Sequence, residues 1–236
     1  MFKKSYYCYT AMEVIMMIKI EELYDLNHTL AENYLKKFTY PWEALSQIRE
    51  LVYALGDTLS EDYVQKQEGV WIHKTAQIAP TASITPPCII GARAEVRHGA
   101  YIRGCALIGD DCVVGNSVEL KNAILFDGVQ VPHFNYVGDS ILGYKAHMGA
   151  GAVTSNVKAD RSPVVIHAER EMQTHRKKVG AMLGDYAEVG CNCVLNPGTV
   201  IGRNTNIYPL SNVRGVVPAN SIYKNASSIV VKKEII

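Results

Sequence analysis

A six-residue rhythm, starting at Ile72, constrains this chain more than any other feature. Apolar residues stand at Ile72, Ile78, Ile84, Ile90, Val96, Ile102, Ile108, Val114 and Leu120. Small or β-branched residues hold the fifth place of each unit, as at Ala76, Ala82, Cys88, Ala94, Ala100, Ala106, Cys112 and Val118. The series continues through Leu125, Val131, Val137, Leu142, Met148 and Thr154 with two five-residue steps, then resumes from Leu183 to Val213. A fixed short period is the mark of a solenoid. Strand residues an even number apart share a side, so the first and fifth positions of a unit both point inward. Each unit then stacks on the third one after it, with coils about 4.8 Å apart. The spacing predicts a prism-shaped parallel β-helix of about seven coils over residues 72–217. Each coil contacts only its neighbours, so stability accumulates coil by coil.

The rhythm divides the chain into a helical segment over 1–70, the β-helix over 71–220, and a tail over 221–236. Between residues 20 and 66, Leu23, Leu26, Leu30, Tyr34 and Leu35 recur at helical spacing. Pro41 breaks this run, and a second helix follows through Leu45, Ile48, Leu51, Val52 and Leu55 to Gly56-Asp57. A packing or oligomer hairpin is the expected role. The rhythm also stops across 155–182, where the chain leaves the coil in an excursion such as a hairpin. Long excursions from repeat scaffolds tend to flank a functional face.

The balance of 24 basic and 23 acidic residues gives a net charge of +1. Nothing in bulk charge favours nucleic acid or an anionic membrane. No C-x-x-C pair occurs among the six cysteines, and most occupy small inward positions, as reduced thiols of a cytoplasmic protein would. No metal in the active site is expected. The first twenty residues lack a clean signal region, and Met12, Met16 and Met17 are possible alternative starts.

Several outward polar residues are not required by the rhythm. Arg103 follows Ile102, and Lys121 follows Leu120 one coil later, so the two cations stack on one edge. Like charges on adjacent strands repel unless an anion sits between them. Glu119 and Tyr136 precede the same turn one coil apart, and Asn156 belongs to the same side one coil further on. These five residues gather around one corner, with His133 on the strand leading into it. His147 falls on a different corner and reaches the group only from a neighbouring subunit. Solvated surface residues would also fit these positions. A histidine, however, suits general-base work near neutral pH.

Three runs carry a resemblance: Val114-Gly-Asn-Ser-Val-Glu-Leu-Lys121, His133-Phe-Asn-Tyr136-Val-Gly-Asp139, and Gly149-Ala-Gly-Ala-Val-Thr-Ser-Asn156. They are similar to V-G-N-F-V-E-x-K, H-x-x-Y-x-G-D and G-A-G-x-x-x-x-N in the acetyltransferase domain of the bifunctional N-acetylglucosamine-1-phosphate uridyltransferases. The resemblance implies a left-handed β-helix of the hexapeptide-repeat acyltransferase type. It also implies transfer of acetyl from acetyl-CoA to the amine of an amino-sugar phosphate such as glucosamine 1-phosphate, in a homotrimer with sites between subunits. On this reading His133 is the base, and Arg103 and Lys121 bind the sugar phosphate. Glu119, Tyr136, His147 and Asn156 contribute to the substrate site. Arg176, Lys177 and Lys178, a dense basic run, suit the phosphates of CoA.

The chain departs from the family where Asn156 is followed by Val157-Lys158 instead of Tyr-Asp, and where His147 replaces an interface Asn. No Gly-rich nucleotide loop precedes the solenoid, so uridyl transfer is not implied. Two other functions compete. One is a non-catalytic sugar-nucleotide-binding or regulatory scaffold. The other is a metal hydrolyase on the same fold, which needs a close H-x-x-x-x-H pair that this chain lacks.

Overall fold

The computed structural model describes residues 18–168 and 170–233. Cys8, the alternative starts Met12, Met16 and Met17, and residues 234–236 of the tail lie outside them. The rhythm builds a left-handed parallel β-helix of about eight turns. The excess over the expected seven lies at the C-terminal end, where Val216–Val217 and Ser221–Asn225 stack on Thr199–Ile201 and Asn206–Ile207, while the coil interrupted by the excursion closes across it. Val153–Thr154 forms one side of that coil and Ala181–Leu183 the next, stacked on Tyr136–Leu142.

Three faces follow from the pairing. The first stacks Glu95–Val96, Val113–Asn116, Gln130–His133, His147–Met148 and Glu188–Val189. The second runs through Tyr101–Ile102, the starts of Glu119–Leu125 and Tyr136–Leu142, Val153–Thr154, Val194–Leu195 and Asn212–Val213. The third carries Val70–His73, Cys88–Ile90, Ala106–Ile108, the ends of the two long strands, Ala181–Leu183 and Thr199–Ile201.

The register is the one the spacing predicts, with Ile84 opposite Ile102, Ile102 opposite Leu120, and Leu120 opposite Val137. From Ile90 to Val213 the first-position residues are buried. Ile78 and Ile84 are only half-buried, since no strand stacks before them on the first and second faces. Cys88, Cys112 and Cys193 are buried free thiols in the small inward places. Asn135 stands where neighbouring coils have Val118 and Ala152. Its buried carboxamide donates to the carbonyls of Gly149 and Ala152 at 2.8 and 3.0 Å.

The N-terminal segment differs from the two expected helices. It forms α1 (Ile20–Leu23), a 3-10 turn at Leu26–His28, α2 (Glu32–Leu35), α3 (Pro41–Ala44) and α4 (Ile48–Gly56). Its backbone polar groups are partly taken by the solenoid. Asp185 N donates to Leu23 O, Asp127 N donates to His28 O, and Asp25 N donates to the Asp185 carboxylate at 2.7 Å. Groups committed in this way are not available for continuous i to i−4 bonding. Pro41 opens α3 as its first residue, where its missing N–H costs nothing. Tyr63–Gln67, expected as helix, is a strand antiparallel to Val70–His73 through a turn at Gly69 with φ of 75°. No helix among the described residues is long and apolar enough to cross a membrane.

The segment packs on the third face, α4 against Cys88–Ile90, Ala106–Ile108 and Glu119–Leu125, and α3 against Tyr136–Leu142. The outward residues there are Ile89, Leu107, Ile124, Ile141, Met182 and Val200, all buried. A strand covered on both sides reads as a continuous apolar run, and this face does so in most coils, with Ser140 and Thr199 as polar exceptions. Truncating Ile124 to Ala is expected to lower stability by about 2–5 kcal/mol, measured by denaturant unfolding. An outward position on an uncovered face would lose well under that.

Candidate functional site

The second face and the two corners that bound it hold the polar group. Tyr101, Glu119, Tyr136 and Val153 occupy successive outward places along this face. At its far corner, Arg103, Lys121, Gly138 and Ser155 form the next column. Sequence spacing placed these residues correctly, but their pairing differs from the reading of two stacked cations around an anion. The Arg103 guanidinium bonds the Glu119 carboxylate one coil on at 2.6 Å. Lys121 is half-buried and has no hydrogen-bond or ion-pair partner among the described residues. Glu119 neutralises Arg103, so Lys121 is the uncompensated charge of the column.

Above Lys121 the column has glycine, and the structure gives the reason. A Cβ on Gly138 would collide with the Tyr136 hydroxyl and approach the Asn156 amide nitrogen. With no side chain there, the Tyr136 ring folds along the face. Its hydroxyl accepts from Asn156 Nδ2 at 3.2 Å. Burial pushes the Tyr136 phenol above its ordinary pKa, and the Asn156 bond offsets part of that rise. The group is therefore an O–H at neutral pH. Asn156 Nδ2 also donates to Asp139 Oδ2 at 2.5 Å, and Asn122 Nδ2 donates to Asp139 Oδ1 at 2.9 Å. Neither Asp139 nor Asn122 was singled out by sequence reasoning. The available signal was the recurrence of Asn122, Asp139 and Asn156 one coil apart at the same turn.

His133 ends a first-face strand, opposite Asn116, and lies at the near corner of the second face. It is exposed, and its backbone N–H donates to Asn135 Oδ1 at 3.1 Å. Its ring makes no hydrogen bond among the described residues. The width of one face separates His133 from the Lys121 column. This spacing is wider than the shared edge expected from sequence. Phe134 beside it is 61% exposed, and Leu210, further along the same corner, is 79% exposed.

His147 opens a first-face strand opposite Gln130, at the other end of that face from His133, as its spacing required. Its Nδ1 lies 2.8 Å from a Glu188 carboxylate oxygen. The excursion emerges directly after Asn156, as a hairpin of Val165–His167 with Glu171–Gln173. Its buried Val164 and Ile166 pack near Gly198, and Arg214 donates to His167 Nε2 at 2.8 Å. A groove of about 460 Å³ runs between hairpin and coils, lined by Ser155, Lys158, His167, Asn196 and Arg214 among others. Within the basic run, Lys177 and Lys178 are exposed, whereas Arg176 Nε is buried without a hydrogen-bond partner.

No family model matches the chain. Over 206 residues, 86% of its length, the chain is 29% identical to the bifunctional protein GlmU of Methanococcus maripaludis, covering 50% of that protein. Over 183 residues, 75% of its length, it is 28% identical to a bifunctional sugar-1-phosphate nucleotidylyltransferase/acetyltransferase of Sulfurisphaera tokodaii, covering 46% of it. The chain resembles the acetyltransferase part of these GlmU-type proteins. It spans about half the length of both relatives. Among solved structures, PerB from Caulobacter crescentus, in complex with CoA and GDP-perosamine, aligns with 86% of this chain and 76% of its own at 17% identity and a TM-score of 0.37.

The residues that carry the GlmU-type resemblance in sequence are those found together here. Tyr136, Asn156 and Asp139 form one bonded unit over Gly138 beside Lys121, and Glu119 pairs with Arg103. Just past Asn156 the chain leaves the coil for the hairpin. Lys158 there bonds Ser162 Oγ at 2.6 Å and does not reach back to Tyr136.

Proposed function

We propose that the chain is an acetyl-CoA-dependent N-acetyltransferase acting on an amino-sugar phosphate such as glucosamine 1-phosphate. One observation carries the reading: a bonded Tyr136–Asn156 pair lies between Lys121 and an exposed His133, whose side chains have no polar partner among the described residues. An unpaired half-buried cation suits a phosphate, and the polar pair suits sugar hydroxyls. The acceptor would lie across the second face, phosphate at Lys121 and amine at His133. The amine nitrogen attacks the thioester carbonyl carbon while His133 takes its proton. The tetrahedral intermediate then collapses with cleavage of the C–S bond, and the CoA thiolate leaves. The name of the Sulfurisphaera tokodaii relative, which includes an acetyltransferase, supports the same reaction type.

The sites lie between subunits of a homotrimer. In support, Phe134 beside His133 and Leu210 further along the same corner are both exposed, and an adjoining subunit would shield them. A neighbour's His147 would then complete the substrate site. Sedimentation should give a trimer at micromolar concentration, and a stable monomer would contradict this arrangement. To test acceptor choice, release of CoA is followed for a panel of amino-sugar phosphates and unphosphorylated amino sugars. The proposal expects a strong preference for the phosphorylated acceptors. Equal rates for both would remove Lys121 from its role.

CoA is placed by the hairpin and later coils, with its phosphates near Arg176, Lys177 and Lys178. Lys177 and Lys178 are exposed at the foot of the hairpin. Removing all three charges should raise the KM for acetyl-CoA about tenfold or more, as loss of charge-assisted phosphate contacts does, with the acceptor KM unchanged. An unchanged acetyl-CoA KM would place the phosphates elsewhere.

A further inference from the structure

Asp139 is 4% exposed and accepts from two carboxamides, Asn122 at one oxygen and Asn156 at the other. A carboxylate only accepts. Neither carboxamide can turn over without setting its oxygen against a carboxylate oxygen, so both amide orientations are fixed by chemistry. Asn122 spends its second N–H on Leu45 O at 3.1 Å, at the entry to α4. Asn156 spends its second N–H on the Tyr136 oxygen. With both hydrogens of Asn156 used, its Oδ1 is the atom left to face a ligand. Tyr136 accepts from Asn156, so its own proton points away from that bond, and it has no acceptor among the described residues. Two oppositely polar groups are thus presented side by side above Gly138.

We infer that Asp139 is a positioning residue that locks Asn156 and Tyr136 as a paired acceptor and donor, matched to a sugar hydroxyl or amine that both donates and accepts. This deepens the proposed function and rests on it for the identity of the ligand. The turn alone does not require this arrangement, because a positive φ such as the 49° of Asp139 is equally open to asparagine. Asparagine at this position would put a donor against a donor and force a neighbouring carboxamide to turn.

The test uses two variants of the full chain, Asp139→Asn and the exchange Asp139→Asn with Asn156→Asp. In the single variant the acceptor KM should rise about tenfold or more, the scale of an unmet polar group in a substrate site. The KM for acetyl-CoA should not change. The exchanged pair re-forms a donor–acceptor bond and should regain melting temperature. The carboxylate that the exchange brings to position 156 accepts the Tyr136 O–H as a hydrogen bond, however, so that donor is lost to the ligand and the acceptor KM should stay high. Recovery of both properties by the exchange, or an acceptor KM within twofold of wild type in the single variant, would overturn the inference. Side-chain amide NMR reads the lock without activity. The Asn122 and Asn156 NH2 protons should exchange slowly in the wild type, and those of Asn156 should lose protection in Asp139→Asn. Rapid exchange in the wild type would overturn the lock. Slow exchange in a protein that acetylates no amino sugar would instead leave the lock standing and reject the proposed ligand.

Discussion

Replacing His133 with Ala is expected to lower acetyl transfer about 10²–10⁴-fold, the usual size of a lost general base, and to leave the melting temperature nearly unchanged. Its surroundings make both halves of this result follow. The ring is exposed and makes no hydrogen bond among the described residues, so its removal breaks no buried contact. The strand around it is held by main-chain pairing to Val113–Asn116, by the Asn135 bonds and by the buried Val131. None of these depends on the imidazole. Turnover and thermal unfolding of the same preparation separate the alternatives. A structural histidine would lower the melting point and leave the rate per folded molecule intact. Full transfer activity in His133→Ala would rule out the catalytic assignment.

Substituting Gly115 with Ala is expected to damage stability and transfer together. Gly115 lies in the strand that stacks on Gln130–His133. A Cβ there would fall inside the Pro132 carbonyl of the next coil. Both atoms belong to rigid main chain, so no rotamer change relieves the contact. Overpacking of this kind costs about 1–3 kcal/mol and sometimes more, roughly 2–4 °C of melting temperature per kcal/mol in a chain of this size. The displaced residue is the immediate neighbour of His133, so the surviving folded fraction should also lose rate. A Gly115→Ala protein with wild-type melting point and turnover would show that the coils have more room than their stacking implies.

The coil register was fully legible. Large and small inward residues alternate through most of the series, and a one-residue slip would expose it. The column placement of Arg103, Lys121, Tyr136 and Asn156 followed from it. What periodicity could not supply was which outward side chains bond each other. Arg103 is long enough to reach diagonally to Glu119 on the next strand, and counting along one column misses diagonal pairs. Gly138 looked like an ordinary repeat glycine. Its meaning appears only when the Tyr136 ring is seen lying over it. The third face was readable in principle from Cys88-Ile89-Ile90, Ala106-Leu107-Ile108 and Ala181-Met182-Leu183, where the outward middle residue is also apolar. That stripe announces a cover, which the N-terminal segment provides. The broken helices of that segment were not readable, because their backbone partners, Asp127 and Asp185, lie more than ninety residues away in sequence.

The central claim is that this second face carries acetyl from a thioester to an amino-sugar nitrogen. The most direct measurement incubates the wild-type chain with acetyl-CoA and glucosamine 1-phosphate, then follows thiol release and the mass of the sugar product. The account predicts thiol release that depends on the acceptor, in equal amount with an N-acetylated sugar phosphate. Hydrolysis of acetyl-CoA without acetylated sugar, or no thiol release with any amino-sugar phosphate tested, would contradict it.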